Sequence, residues 1–194
     1  MRFGLDIAQQ RMPFAEVVDR ARFAEALGFD GVWGFDHFEP MYGEGPGECF
    51  EGMTTLAALA TATTRVRLGL LVTGLTYRPL GLLATQAITV DHASNGRLEL
   101  AIGTAWHDKE HRALGFEFPP TGARVDLLED ALNILPRLFT EDDVTYAGKR
   151  VSVARHRQPE AGAAPVDPDL GRSRRPEALA PTGRSVRRRL AQLR

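Results

Sequence analysis

The chain has a single cysteine, Cys49, in 194 residues, so no internal disulfide can staple it. No apolar run approaches about 20 residues, and no basic segment leads into an apolar core near the N-terminus. Neither a membrane span nor a secretory leader is therefore expected, and a cytoplasmic location is the default. The net charge of −1 gives no electrostatic reason to expect nucleic acid or an anionic membrane as partner. No strand leads through G-x-G-x-x-G into a helix, so the dinucleotide fingerprint is missing, and the glycine-rich GEGPG at 43–47 reads as a loop. What remains is an ordinary globular composition, 43% hydrophobic and 25% charged, long enough for one core.

A second set of absences is local. The last aromatic is Tyr146, and no Ile, Met or Lys follows Lys149. Residues 151–194 carry ten arginines against four acids, a local charge of +6 that leaves −7 for residues 1–150. Five prolines and no hydrophobic period complete that segment, which by composition cannot bury a core and is expected to be disordered. The resulting domain reading is a folded unit at 1–153 and an Arg/Pro/Ala-rich tail at 154–194.

Before that boundary, strand and helix signals alternate four times. Apolar strand-like runs at 2–8, 31–37, 66–74 and 97–104 start 29, 35 and 31 residues apart. Between them lie helical patterns. One opens at Pro13 and ends at Gly28, one covers 54–62, and one runs from Pro79 to Asn95-Gly96. A further helix is expected at 124–139, kinked at Pro136, and a β-hairpin at 144–153 turning at Ala147-Gly148. Regular βα units imply a parallel sheet with right-handed crossovers. Four of them fit half of a (β/α)8 barrel, which takes about 250 residues in full. The fold class is thus α/β, a partial TIM barrel followed by the tail.

Ligands collect at the carboxyl ends of parallel strands. Three such ends carry informative residues. The second delivers Asp36 and His37, and an imidazole there can relay protons near neutral pH. The third ends in Val72, Thr73 and Gly74. The fourth ends in Gly103, Thr104, Ala105 and Trp106, where small residues allow close approach to a ring, Thr104 offers a hydroxyl and Trp106 can wall a pocket. The segment 107–111 (HDKEH) matches H-x-x-E-H, in which His107 and His111 on a helix could share a metal with Glu110 activating water. No third ligand stands out, so a polar helix at the barrel mouth is preferred and no metal is assigned. Asp91 and Arg97 are read as structural, fixing the turn into the fourth strand.

Several segments together resemble the luciferase-like monooxygenase superfamily, specifically its coenzyme F420-dependent oxidoreductase branch. They are AEALGFDGVWGFDHF (24–38), RVRLGLLVTGLTYRP (65–79), TVDHASNGRLELAIGTAW (89–106), EHRALGFEFP (110–119) and LEDALNILPRLFTEDDVTYAGK (128–149). The resemblance implies a (β/α)8 barrel that transfers a hydride between a deazaflavin and a small organic substrate. It makes His37 the catalytic acid or base, with Asp36 orienting the loop or the imidazole. It places Asp36, His37, Val72–Gly74, Gly103, Thr104 and Trp106 around the cofactor ring, and it implies a backbone bulge at 72–74, often with a non-prolyl cis peptide. Met41 stands where relatives often place a pocket-shaping aromatic. FMN is the alternative cofactor, in an oxygen-activating monooxygenase.

The chain departs from the family after the hairpin, where the second half of the barrel should begin. We expect an out-of-frame tail from a GC-rich gene, and weak or no cofactor binding because phosphate contacts come from the missing half. Re-reading the gene in the other two frames tests the first point. An inactive fragment, or a binding module using the basic tail, are the other readings. Exposed sheet edges would favour self-association.

Overall fold

A computed structural model describes residues 1–155. The tail expectation falls almost wholly on residues 156–194, which lie outside the described residues. Four short strands, β1 (Gly4–Asp6), β2 (Gly31–Gly34), β3 (Arg67–Leu70) and β5 (Leu98–Glu99), form one parallel sheet in the order β1-β2-β3-β5. Leu5 pairs with Val32, Val32 with Leu68, and Leu68 with Leu98, so one face carries a continuous apolar row. Helices α1 (Phe14–Ala26), α2 (Gly52–Ala62) and α3 (Leu80–Ala93) connect successive strands. The core joins Val32, Leu68 and Leu98 of the sheet to Val17, Ala21, Leu59 and Leu83 of these helices.

The caps explain where the helices lie. Pro13 and Pro79 stand as N-caps of α1 and α3 with φ of −59° and −58°. A proline there sacrifices no helical hydrogen bond. Gly28, just after α1, has φ +87°, which a Cβ would disfavour. Glu51 caps α2 by accepting the backbone N–H groups of Met53 and Thr54.

The third and fourth expected strands are each interrupted. After β3 comes a cis Leu71–Val72 peptide and then β4 (Thr73–Gly74). After β5 comes β6 (Ile102–Gly103), paired in parallel with β4. The bulge therefore lies between β3 and β4, and the pairing shifts into a second small sheet at the carboxyl end. Strands expected as seven to nine residues are shorter because the chain leaves the ladder to build the rim.

Two elements follow the fourth unit. Helix α4 (Asp108–Leu114) ends on Gly115 in a left-handed C-cap, and α5 (Thr121–Thr140) continues through Pro136 without a break. The hairpin of β7 (Val144–Ala147) and β8 (Ser152–Arg155) pairs Ala147 with Ser152. Its loop is 148–151 rather than a turn at Ala147-Gly148. Asp130 explains this, because its buried carboxylate accepts the N–H groups of Lys149, Arg150 and Val151. Arg97 is structural as expected, but through carbonyls of Ala60, Thr63 and Val66 rather than a cap at its own turn alone.

Candidate active site

The carboxyl ends of the second, third and fourth strands converge on one cleft of about 470 Å³. Asp36, His37, Val72, Gly74, Gly103, Thr104 and Trp106 all line it, together with Leu71, Tyr77 and Ala105. Thr73 does not. It lies one residue before Gly74 in β4, is 1% exposed, and pairs with Ile102 of β6. Alternation along a strand sends neighbours to opposite faces, which is why 72–74 could not all face the same space. Met41 is also absent from the lining; its N–H donates to Gln10.

The polar side of the cleft is built on buried partners. Asp36 accepts two hydrogen bonds from Arg78, each 2.7 Å, and a third from the Gly74 N–H at 2.8 Å. Arg78 also reaches Glu51 at 3.0 Å, tying the cleft to the N-cap of α2. Burial works against the charge on Arg78, yet the two carboxylates outweigh it and raise its pKa further. Asp36 thus orients the 74 loop and not the imidazole, which has a different partner.

That partner is Glu110 of α4. Its Oε2 lies 3.0 Å from His37 Nδ1 and also accepts the Tyr77 hydroxyl. Its Oε1 accepts the backbone N–H groups of Phe38 at 2.7 Å and Glu39 at 3.0 Å. Burial raises the pKa of Glu110, but these four donors outweigh it and hold the group down at about 2. Tyr77 is pushed up, by burial first and then by its bond to Glu110.

The metal motif dissolves in this network. His111 is taken by Thr76, at 2.6 Å from Nε2, and by the His107 carbonyl, at 2.8 Å from Nδ1, so His107 and His111 do not share a site. His37, His107 and Glu110 do bring ligand atoms within 4.8 Å of one another. Both Glu110 oxygens are already engaged by protein groups, while His107 Nδ1 lies buried without a hydrogen-bond partner, 3.9 Å from Glu110 Oε2.

The opposite wall is apolar and open. Leu71, Val72 and Trp106 are 56%, 46% and 65% exposed. Trp106 stacks on the His107 ring at 4.9 Å and meets His37 edge-on at 5.7 Å. The floor is kept low by glycine: a Cβ at Gly103 would stand 2.7 Å from Val72 Cγ2, and one at Gly74 2.6 Å from Tyr77 Cδ2. Arg124 of α5 braces this rim. It donates to the carbonyls of Thr104 and Ala105 and lies 4.3 Å over the Phe118 ring.

Sequence reasoning missed Glu110 as the partner of His37, and it missed Arg78, Tyr77 and Arg124 altogether. Only Tyr77-Arg78-Pro79, directly after a strand end, offered a signal. The 73 residues between His37 and Glu110 hid the other pairing.

A parallel βα sheet with a cleft at the carboxyl ends of its strands is the arrangement at which α/β folds collect their ligands. The luciferase-like monooxygenase family matches residues 1–187, and the chain belongs to that family. It is 32% identical over 154 residues to an F420-dependent glucose-6-phosphate dehydrogenase of Microbacterium testaceum, covering 79% of this chain and 45% of the relative. The same enzyme of Intrasporangium calvum is 34% identical over 151 residues, 76% of this chain and 45% of that one. A solved F420-dependent secondary alcohol dehydrogenase, in complex with an F420-acetone adduct, shares the fold at a TM-score of 0.71 and 23% identity, over 79% of this chain and 47% of that chain. A monooxygenase from Streptomyces bottropensis follows at 0.67 and 26%, over 80% and 48%. The chain spans about half the length of the relatives it matches. No helix of the described residues is long and apolar enough to cross a membrane.

Proposed function

We propose that residues 1–153 form the ring-side half of a coenzyme F420-dependent oxidoreductase, with His37 moving the proton that accompanies hydride transfer to or from a small organic substrate. The observation that carries this reading is the pairing of a half-buried imidazole, held by the buried Glu110, with an exposed apolar wall on one cleft. Exposed large apolar side chains gathered at one place mark a binding surface, and about 470 Å³ lies in the range of small-molecule sites.

The residues present fit a planar tricyclic ring. Gly74 and Gly103 keep the floor clear where a Cβ would collide with Tyr77 or Val72. Val72 would support one face of the ring, with Trp106 walling the cleft and Thr104 offering a hydroxyl at the rim. A deazaflavin supplies a carbon hydride donor or acceptor that reacts poorly with oxygen. The chain's own residues do the rest: His37 holds or yields a proton at the cleft, Asp36 and Arg78 fix the loop beneath it, and Leu71 and Val72 exclude water.

The curated relatives named above are F420-dependent, which favours that cofactor over FMN. Among the described residues no Lys or Arg lines the cleft, and binding should be weak because phosphate contacts come from the half of the barrel that this chain does not match. The outer strands β1 and β5, each paired on one side only among the described residues, would be its route to self-association. The test is a titration of the purified chain with F420 and with FMN, followed by backbone NMR. High concentrations of F420 should shift the signals of His37, Gly74 and Gly103, and FMN should shift them less. No response to F420, or a larger one to FMN, would sink the assignment.

A further inference from the structure

We infer that Glu110 is a positioning residue that fixes the His37 ring as its Nδ1–H tautomer, leaving Nε2 as a proton acceptor on the cleft. This rests on the proposed role of His37 for its significance, not for its truth.

Glu110 is fully buried and receives three unambiguous donors, the Phe38 and Glu39 N–H groups and the Tyr77 hydroxyl, beside its contact with His37. An ionised carboxylate can only accept, so the proton on the 3.0 Å contact with His37 belongs to Nδ1. The neutral ring then has its lone pair at Nε2, the nitrogen with no hydrogen-bond partner among the described residues. In water a neutral histidine favours the opposite tautomer, with the proton on Nε2. The fold therefore reverses the default, and it does so with a residue from α4 that lies 73 positions away. The Cys49 thiol, donating to the His37 carbonyl at 3.4 Å, and the two backbone bonds to Oε1 keep the 37–39 segment in place while Oε2 acts on the ring. With Nε2 as acceptor, His37 would be set to take the O–H proton of an alcohol in the cleft; a deazaflavin held by Val72, Gly74 and Gly103 would supply the acceptor for the carbon-bound hydride, leaving a carbonyl.

E110Q changes one atom and should invert the tautomer. The amide oxygen would take over the bonds from Phe38 and Glu39, since these need an acceptor. That leaves the amide NH₂ facing Nδ1, which must then accept, so the proton moves to Nε2. Y77F removes a different donor from Glu110 and should leave Nδ1–H in place.

The experiment is ring 15N–1H correlation NMR on the full chain with labelled histidine, without cofactor, at a pH where the ring is neutral. The chain has five histidines, and loss of one signal set in H37Q assigns His37. The expected result is Nδ1–H in the wild type and in Y77F, and Nε2–H in E110Q that retains its circular dichroism. Nε2–H or an even mixture in the wild type would overturn the inference, as would an unchanged tautomer in folded E110Q. If E110Q does not fold, the wild-type spectrum alone decides. Because no cofactor is present, this outcome is independent of the F420 titration: either can fail while the other stands.

Discussion

The two walls of the cleft are built by opposite means. On the polar wall, His37 and Asp36 are each locked by a buried, oppositely charged or hydrogen-bonded partner from a distant element. On the apolar wall, Leu71, Val72 and Trp106 are 46% to 65% exposed. The first wall is organised by its own buried partners, and the second is exposed apolar surface, which the proposed function makes the contact face for the ring. Mutations on the polar wall should therefore act on stability and ring orientation. Those on the apolar wall should act on binding alone.

The largest effect should come from Arg78→Ala. It strands the Asp36 carboxylate, which is 3% exposed, with only the Gly74 N–H as partner. Breaking a buried pair by removing one member costs about 3–5 kcal/mol. Urea denaturation measures it, and a loss under about 1 kcal/mol would show that the pair is not the lock described.

Acid comes next. Glu110 titrates at about 2 in the folded chain against 4.5 for an ordinary glutamate. A depressed carboxylate contributes stability that is complete above the unfolded value and is lost as the pH falls towards the folded one. The shift corresponds to about 3 kcal/mol, so stability should decline between pH 4.5 and 2. E110Q should flatten that decline. An equally steep acid limb in E110Q would place the sensitivity elsewhere, for example at Asp130.

Gly103→Ala addresses the boundary between the walls. Its Cβ would lie 2.7 Å from Val72 Cγ2, so Val72 must shift into the cleft. Overpacking of this kind costs about 1–3 kcal/mol, and ring binding should fall along with it. Stable protein with unchanged F420-induced shifts would mean that the ring does not approach this strand end. The smallest change in stability should follow Trp106→Ala, within about 0.5 kcal/mol for so exposed a side chain. Binding should nevertheless weaken several-fold, since an aromatic contact is worth about 0.5–1.5 kcal/mol. Comparing its denaturation midpoint with its ligand titration separates the two.

Much of this was legible in the linear chain. The four βα units follow from apolar runs punctuated by Pro13, Gly28, Pro79 and Gly96, because those residues act through their own backbone. The same locality made the strand ends readable as a rim: eight of the nine residues marked there, all but Thr73, line one cleft. Thr73 was the exception, since the bulge that decides which residue faces inward depends on pairing with Ile102. The hairpin loop was misplaced for a similar reason, with Asp130 on α5 gripping three consecutive N–H groups. Membership of the luciferase-like monooxygenase family was readable too, because whole segments carry it.

The sequence by itself determined the βα rhythm, the position of His37 at a strand end and the family. The first two rest on periodicity and local backbone preference, which act over a few residues, and the third on whole segments that resemble the family. Only the tertiary structure decided what holds His37 and Asp36. Hydrogen-bond partners are chosen by proximity in space, and burial makes each choice obligatory: Glu110 must find four donors, and Arg78 must find its carboxylates. Neither requirement leaves a trace in residue spacing.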